Sequence, residues 1–353
     1  MTASELKNRY PYNTVLTDEA GNPSVMVYIP AFSLADVIPG APCVPHPAFV
    51  VEGKALPGIF ISKFQNVIVH GIACSLPHQD PATRVNFDDA VRACTAKGKG
   101  WHLMTAMEWG MIALWCQKNG FLPFGNNGEG FDVREPDRCA TVSYRNEEKG
   151  ICRTATGSGP VSWNHNGRED GICDLNGNVW EWNGGIRVVR GELQLLPDNN
   201  GANDAFDQGA DSADWRAVDA RTGEYIAPHG EGDAEHSVKL DFVNGAFAYV
   251  ADAVQDAYPH ARFCDFSAVR AADGISEQAQ WLLQALGCLP TGDLSLVADV
   301  SLYANNGSAE RMVFRGGRWG QGLNAGVFKT CIDDPRTYAG EAVGFRAAYY
   351  EAD

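Results

Sequence analysis

Glu181 stands between Trp180 and Trp182, directly after the turn-forming run Asp174-Leu175-Asn176-Gly177-Asn178-Val179. A carboxylate in that aromatic setting has to be ion-paired, hydrogen-bonded or metal-bound, because leaving it charged and unpaired in a core costs several kcal/mol. The ten cysteines contain no Cys-x-x-Cys pair and lack the density of a small disulfide scaffold. They read mostly as buried thiols, and the redox compartment leans to reducing. The eight histidines are scattered, and His102, beside core-like residues, reads as a hydrogen-bonded structural residue rather than a base. No Gly-x-Ser-x-Gly elbow, His-Glu-x-x-His helix, Walker loop or dinucleotide glycine fingerprint occurs, which removes the common enzyme signatures.

The elements that must position these groups are short strands and a few capped helices. Val25-Met26-Val27-Tyr28-Ile29-Pro30 and Gly58-Ile59-Phe60-Ile61-Ser62-Lys63-Phe64 read as strands. Asn86 caps a helix whose apolar face is Phe87, Ala90, Val91 and Cys94, ending near Lys97-Gly98. Thr105 and Glu108 form a capping box for a second helix to about Lys118, with Trp109, Ile112, Ala113 and Cys116 as its core face. The glycine turn at Gly177 precedes an aromatic strand. Residues 198–236, rich in Asp, Gly, Ala and Asn, read as an exposed acidic insertion without calcium-loop spacing. Beyond it come a strand at Val238-Lys239-Leu240-Asp241-Phe242, a helix capped by Ser276 that stops at Gly287, and two late strands around residues 312–319 and 343–350.

Composition bounds the function. With 28 basic and 44 acidic side chains the net charge is −16, so no nucleic-acid surface is expected. At 45% hydrophobic the chain has ample core material. No apolar run approaches the length of a membrane span, and the first residues lack the pattern of a secretion signal.

Six motifs in a fixed order carry a resemblance: Asn86-Phe87-Asp88-Asp89-Ala90-Val91, Leu103-Met104-Thr105-Ala106-Met107-Glu108-Trp109, Pro123-Phe124-Gly125-Asn126, Gly177-Asn178-Val179-Trp180-Glu181-Trp182, Arg315-Gly316-Gly317 and Gly344-Phe345-Arg346. Together they resemble the formylglycine-generating (sulfatase-modifying) branch of the C-type lectin fold. The resemblance implies an irregular α+β domain with two helices and twisted antiparallel strands, the terminal strands lying near one another. On this reading residues 1–24 are an N-terminal extension and 25–353 the domain, containing an insertion at about 185–310. Enzymes of that family oxidise a substrate cysteine with two active-site cysteines placed after Arg-Gly-Gly. The matching positions here are Gln321 and Gly326, so both thiols are missing, and Cys331 is a lone thiol farther along.

The stretch Arg315-Gly316-Gly317-Arg318-Trp319-Gly320 through Asn324-Ala325-Gly326-Val327-Phe328 to Val343-Gly344-Phe345-Arg346 is also similar to the variable region of diversity-generating retroelement target proteins. In that family, error-prone copying of adenines rewrites a surface segment, here about 318–342. Asparagine codons in the template, altered at their adenines, give residues such as Cys331, Asp333, Asp334, Tyr338, Gly340 and Ala342. Gln321, Lys329 and Glu341 cannot come from an AAC codon; Gln321 and Lys329 are kept as candidates. With Arg318, Gly320 and Leu323 they complete the expected ligand-binding set, on a rigid fold whose framework includes Trp319 and Phe328.

From the first branch the resemblance also implies a structural calcium held by Asp174, Gly177, Val179 and Glu181, the alternative being that Glu181 accepts backbone amides in the turn. No other cofactor is required. The leading expectation is a non-enzymatic, diversified receptor or adhesin for a protein or surface ligand, carried on a phage tail or held in the cytoplasm, with homo-oligomers compatible with the family. The alternatives are a formylglycine-generating-type oxidoreductase, disfavoured by the missing thiols, and a structural virion protein without a ligand.

Overall fold

The computed structural model describes residues 1–233, 236–297 and 299–352. Ala234, Glu235 and Ala298, within the expected insertion, and Asp353, the last residue of the expected domain, lie outside the described residues. In chain order the principal elements are α1 (Ala3–Arg9), β1 (Thr14–Thr17), β2 (Pro23–Pro30), β3 (Gly58–Ser62), α2 (Phe87–Thr95), β4 (Trp101–Leu103), α3 (Ala106–Lys118), β5 (Trp180–Val189), β6 (Glu192–Leu195), β7 (Lys239–Val243), β8 (Ala246–Val250), β9 (Arg262–Asp265), α4 (Glu277–Ala285), β10 (Ser301–Ala304), β11 (Arg311–Gly316), β12 (Gly326–Ile332), β13 (Val343–Phe345) and β14 (Ala347–Tyr349).

The helices start where their caps predict. Asn86 Oδ1 accepts from Asp89 N at 2.8 Å, and α2 buries Phe87, Ala90, Ala93 and Cys94, with Ala93 taking the inner place expected of Val91. At α3, Glu108 N donates to Thr105 Oγ1 (3.1 Å) while Thr105 N donates to Glu108 Oε2 (2.9 Å), closing both halves of the capping box. α3 is buried on nearly every side rather than on one face: Met107, Met111 and Leu114 are as enclosed as Trp109 and Ile112. The reason is α4, capped by Ser276, which crosses α3 at Gly110. A Cβ built there would sit 2.3 Å from Ala285 O, so only glycine admits the crossing.

One sheet has the order β1-β2-β3-β14-β4, which brings the C-terminal strand between β3 and β4. β1 pairs with β2 from Thr14↔Met26 to Thr17↔Pro23, so part of the stretch expected as an N-terminal extension is an edge strand of this sheet. The second sheet runs β9-β10-β12-β11-β5-β6-β7-β8. β5 is its spine: the first half lies between β11 and the parallel β13, the second between β11 and β6, with a register shift between Asn183 and Arg187 where Gly185 takes φ 74°.

Residues 185–310 therefore extend the sheet and supply α4 to the core. The acidic stretch 198–236 is not simply an exposed insertion. Trp215 is fully buried, its indole N–H bonded to Gly209 O at 2.9 Å and its ring 4.5 Å from the Arg187 guanidinium carbon, and Ala217 and Val218 are buried beside it. Trp215, the largest aromatic of this mainly polar stretch, anchors it.

The mixed α+β architecture agrees with the fold class expected from the sequence.

Candidate functional site

Most of the expected binding residues gather over one face of the second sheet. Cross-strand pairing sets Tyr303 of β10 beside Cys331 of β12, Cys331 beside Phe314 of β11, and Phe314 beside Trp182 of β5. Directly paired residues point to the same side of a sheet, so these four form a row. Phe314 packs edge-on against Trp180 and Trp182, each at 5.0 Å between centroids, which fixes the aromatic floor. Along β12 the alternation that exposes Cys331 to this face also brings Lys329, and beyond the strand end Asp333.

Above the row lies a concavity of about 250 Å³. Arg318, Gln321, Lys329, Cys331, Asp333, Asp334, Tyr338 and Ala342 line it together with Trp180, Phe314, Val343 and Tyr303. Eight of the eleven expected positions thus converge, and Gly320, Leu323 and Gly340 lie outside the lining. Leu323 is exposed in a single turn of helix. Gly320 has φ 71°, a conformation that strains most side chains. Gly340 leaves room for the Tyr338 ring, since a Cβ there would meet the Tyr338 hydroxyl at 2.3 Å. Trp319 and Phe328 are buried, Phe328 stacked on Phe266 at 5.3 Å, as expected of framework. A separate cavity of about 300 Å³ between β2 and α3 contains none of the expected residues.

The polar groups in the concavity are only partly satisfied by one another. The Lys329 ammonium donates to Ser301 Oγ and lies 5.9 Å from the Trp180 ring centre; burial holds its pKa down to about 8. Arg318 N donates to Gln321 Oε1 (2.9 Å), and its Nη1 donates to Trp319 O (3.3 Å). Burial, reinforced by neighbouring Asp333, pushes the Asp334 carboxyl up to about 6. Burial likewise raises the Cys331 thiol, which stays protonated at neutral pH and is a poor nucleophile. Gln321 and Gly326, where the enzyme branch has thiols, offer an amide acceptor and a glycine that opens β12.

Two residues of the site carry no local sequence signal. Tyr303 arrives from the insertion through the parallel pairing of β10 with β12. Arg336 ties down the rim: its guanidinium donates to Glu310 (Nε, 2.8 Å; Nη2, 2.9 Å), to Asp88 (2.7 Å) and to Gln208 O (3.1 Å).

Of the expected calcium ligands, Glu181 is engaged by a different cation. Arg346 Nε and Nη2 donate to the two oxygens of Glu181 at 2.5 and 2.6 Å, and both side chains are buried. Gln65 Nε2 donates to Glu181 Oε1 (3.0 Å) and Val179 O (3.0 Å), while Asp174 accepts from Gly157 N (2.8 Å) and burial pushes its carboxyl up to about 6. Glu181 is paired with an arginine, and among the described residues no turn amide donates to its carboxylate. Gly177 N is bonded to Gly316 O at 3.0 Å. In the turn, Asn176 Oδ1 is buried without a hydrogen-bond partner, while both Glu181 oxygens are taken by the Arg346 guanidinium, which already supplies the positive charge a calcium would bring. The donor set as it stands does not fit calcium. Accordingly, EDTA dialysis followed by a thermal melt is expected to leave the melting temperature within about 1 °C, whereas loss of a bound structural ion lowers it by several degrees.

Residues 50–194 match the family model of the sulfatase-modifying factor enzyme 1-like domain. The match takes in the first four motifs and stops before Arg315-Gly316-Gly317 and Gly344-Phe345-Arg346. No curated protein matches the chain. Among solved structures, a variable protein 1 of Treponema denticola aligns over 96% of this chain and 99% of its own at 12% identity and TM-score 0.37. PvdO from Pseudomonas aeruginosa aligns over 96% and 98% at 12% identity and TM-score 0.33, and the Major Tropism Determinant P3c variant over 96% and 71% at 11% identity and TM-score 0.33. These are distant likenesses. Among the described residues no helix is long and apolar enough to cross a membrane, and no group of three or more His, Cys, Asp or Glu side chains is placed to hold a metal.

Proposed function

From a chain whose residues 50–194 match the sulfatase-modifying-factor type of domain, we propose a diversified ligand-binding protein of receptor or adhesin type, whose segment 318–342 is rewritten by a diversity-generating retroelement. The observation that carries this reading is the convergence of eight of the eleven expected positions on one concavity over a buried aromatic floor. A rigid frame below and replaceable side chains above is what a diversified surface requires. The ligand is a protein or other surface molecule, and the insertion contributes one wall through Tyr303. Display on a phage tail or a cytoplasmic role both remain compatible with this reading.

The non-enzymatic side of the proposal rests on chemistry. Thiols are absent from Gln321 and Gly326, and Cys331 is held protonated by burial. A combined library at Arg318, Asp333, Asp334 and Tyr338 tests the division of labour. Most members are expected to melt within about 3 °C of the parent, because surface changes cost within ~0.5 kcal/mol each. Trp182→Ala, in the floor, is expected to lose about 3–5 kcal/mol. A library whose members mostly fail to fold overturns the proposal.

A further inference from the structure

Lys329 lines the concavity with a charge that its surroundings leave unmet. Its residue is 5% exposed, its ammonium contacts a hydroxyl and an aromatic ring, and no carboxylate lies within ion-pair distance of it among the described residues. Asp333 and Asp334 share the concavity without pairing with it. Other buried cations are better supplied: Lys97 has Asp18 at 2.9 Å and Arg346 has Glu181, while Lys63 donates to the Glu169 and Gly171 carbonyls and Arg315 to those of Leu286 and Gly287, whereas Lys329 has one hydroxyl and a ring. Leaving one ammonium desolvated without a counter-ion is costly unless a ligand supplies the anion.

We infer that the ligand of this variant places a carboxylate against the Lys329 ammonium, in the manner of an Asp or Glu side chain from a protein partner. The inference rests on the binding-face reading above and names the group that the face takes. The space available, about 250 Å³, suits one side chain rather than a large molecule. Trp180 and Phe314 supply an apolar wall for the methylenes that precede a carboxylate, and the Arg318 guanidinium, which has no acidic partner within ion-pair distance among the described residues, stands on the same concavity. The amine's lowered pKa, about 8, leaves it mostly charged at neutral pH, so the ion pair is available under ordinary conditions. Asp333 and Asp334 line the same concavity and favour a ligand whose remaining polar groups are donors.

The test titrates the full chain with glutarate, phosphate and sodium chloride at matched ionic strength and follows the melting temperature. Glutarate is expected to raise it saturably, by about 2 °C at ten times Kd, and chloride to leave it unchanged. Lys329→Met is expected to lose the glutarate response and Lys329→Arg to keep it; Lys329→Gln serves if the methionine variant does not fold. A wild-type response no larger than that of the neutral variants, or one matched by chloride, overturns the inference. A phosphate response as large as that of glutarate overturns the assignment to a carboxylate. Neither result bears on which positions tolerate substitution, so the binding-face reading fails separately, in the library experiment.

Discussion

Arg346→Ala is expected to cost about 3–5 kcal/mol, a large part of the stability of a chain held by ordinary margins. The guanidinium makes a two-pronged contact with Glu181 and also donates to Ser62 O (3.0 Å) and Cys173 O (3.1 Å). Removing it leaves a buried carboxylate with only the Gln65 amide and strips donors from two buried carbonyls. Because β13 pairs in parallel with β5, placing Gly344 beside Glu181, the same contact joins the two sheets at the point where β14 leaves for the first sheet. Arg346→Lys is expected to recover only part of the loss, since an ammonium cannot reproduce the fork. Urea unfolding followed by tryptophan fluorescence measures both. A cost below about 1 kcal/mol for the alanine variant contradicts the assignment of this pair as the fastening between sheets.

The second large effect is at Arg336. Arg336→Ala is expected to lose roughly 2 kcal/mol, less than Arg346 because Asp88 is about half exposed and Glu310 keeps its Arg187 partner at 2.9 Å. Its local consequence is greater. Arg336 joins the rim to α2 through Asp88 and to the insertion through Glu310 and Gln208. Without it the turn in which Tyr338 N donates to Pro335 O (3.0 Å) loses its anchor. Hydrogen exchange of amides at 333–342 is expected to rise about tenfold while that of α3 changes little. Equal acceleration in both places contradicts a local anchoring role.

These two arginines also show what could be read from the sequence. The caps of α2 and α3, the turn before β5 and the late strands depend on neighbouring residues, and all are present near their expected positions. That Glu181 needed a partner follows from its aromatic neighbours. That the partner is Arg346 follows from a strand pairing 165 positions away, which no local pattern encodes. The same holds for the concavity: the β12 alternation accounts for Lys329, Cys331 and Asp333, whereas Tyr303 enters through a parallel pairing and Arg336 through three distant partners. The acidic stretch departs from its composition for a related reason. Its composition averages out Trp215, whose burial comes from Arg187 and β6 rather than from its own neighbours.

The central claim is that one face is rewritten while its frame is held, and sequencing this coding segment across a natural population tests it most directly. Substitutions are expected to concentrate at the concavity positions within 318–342, at codons consistent with altered adenines, with Trp180, Trp182, Phe314, Gly344 and Arg346 unchanged. Variation spread evenly along the chain, or falling on the frame as often as on the face, contradicts it.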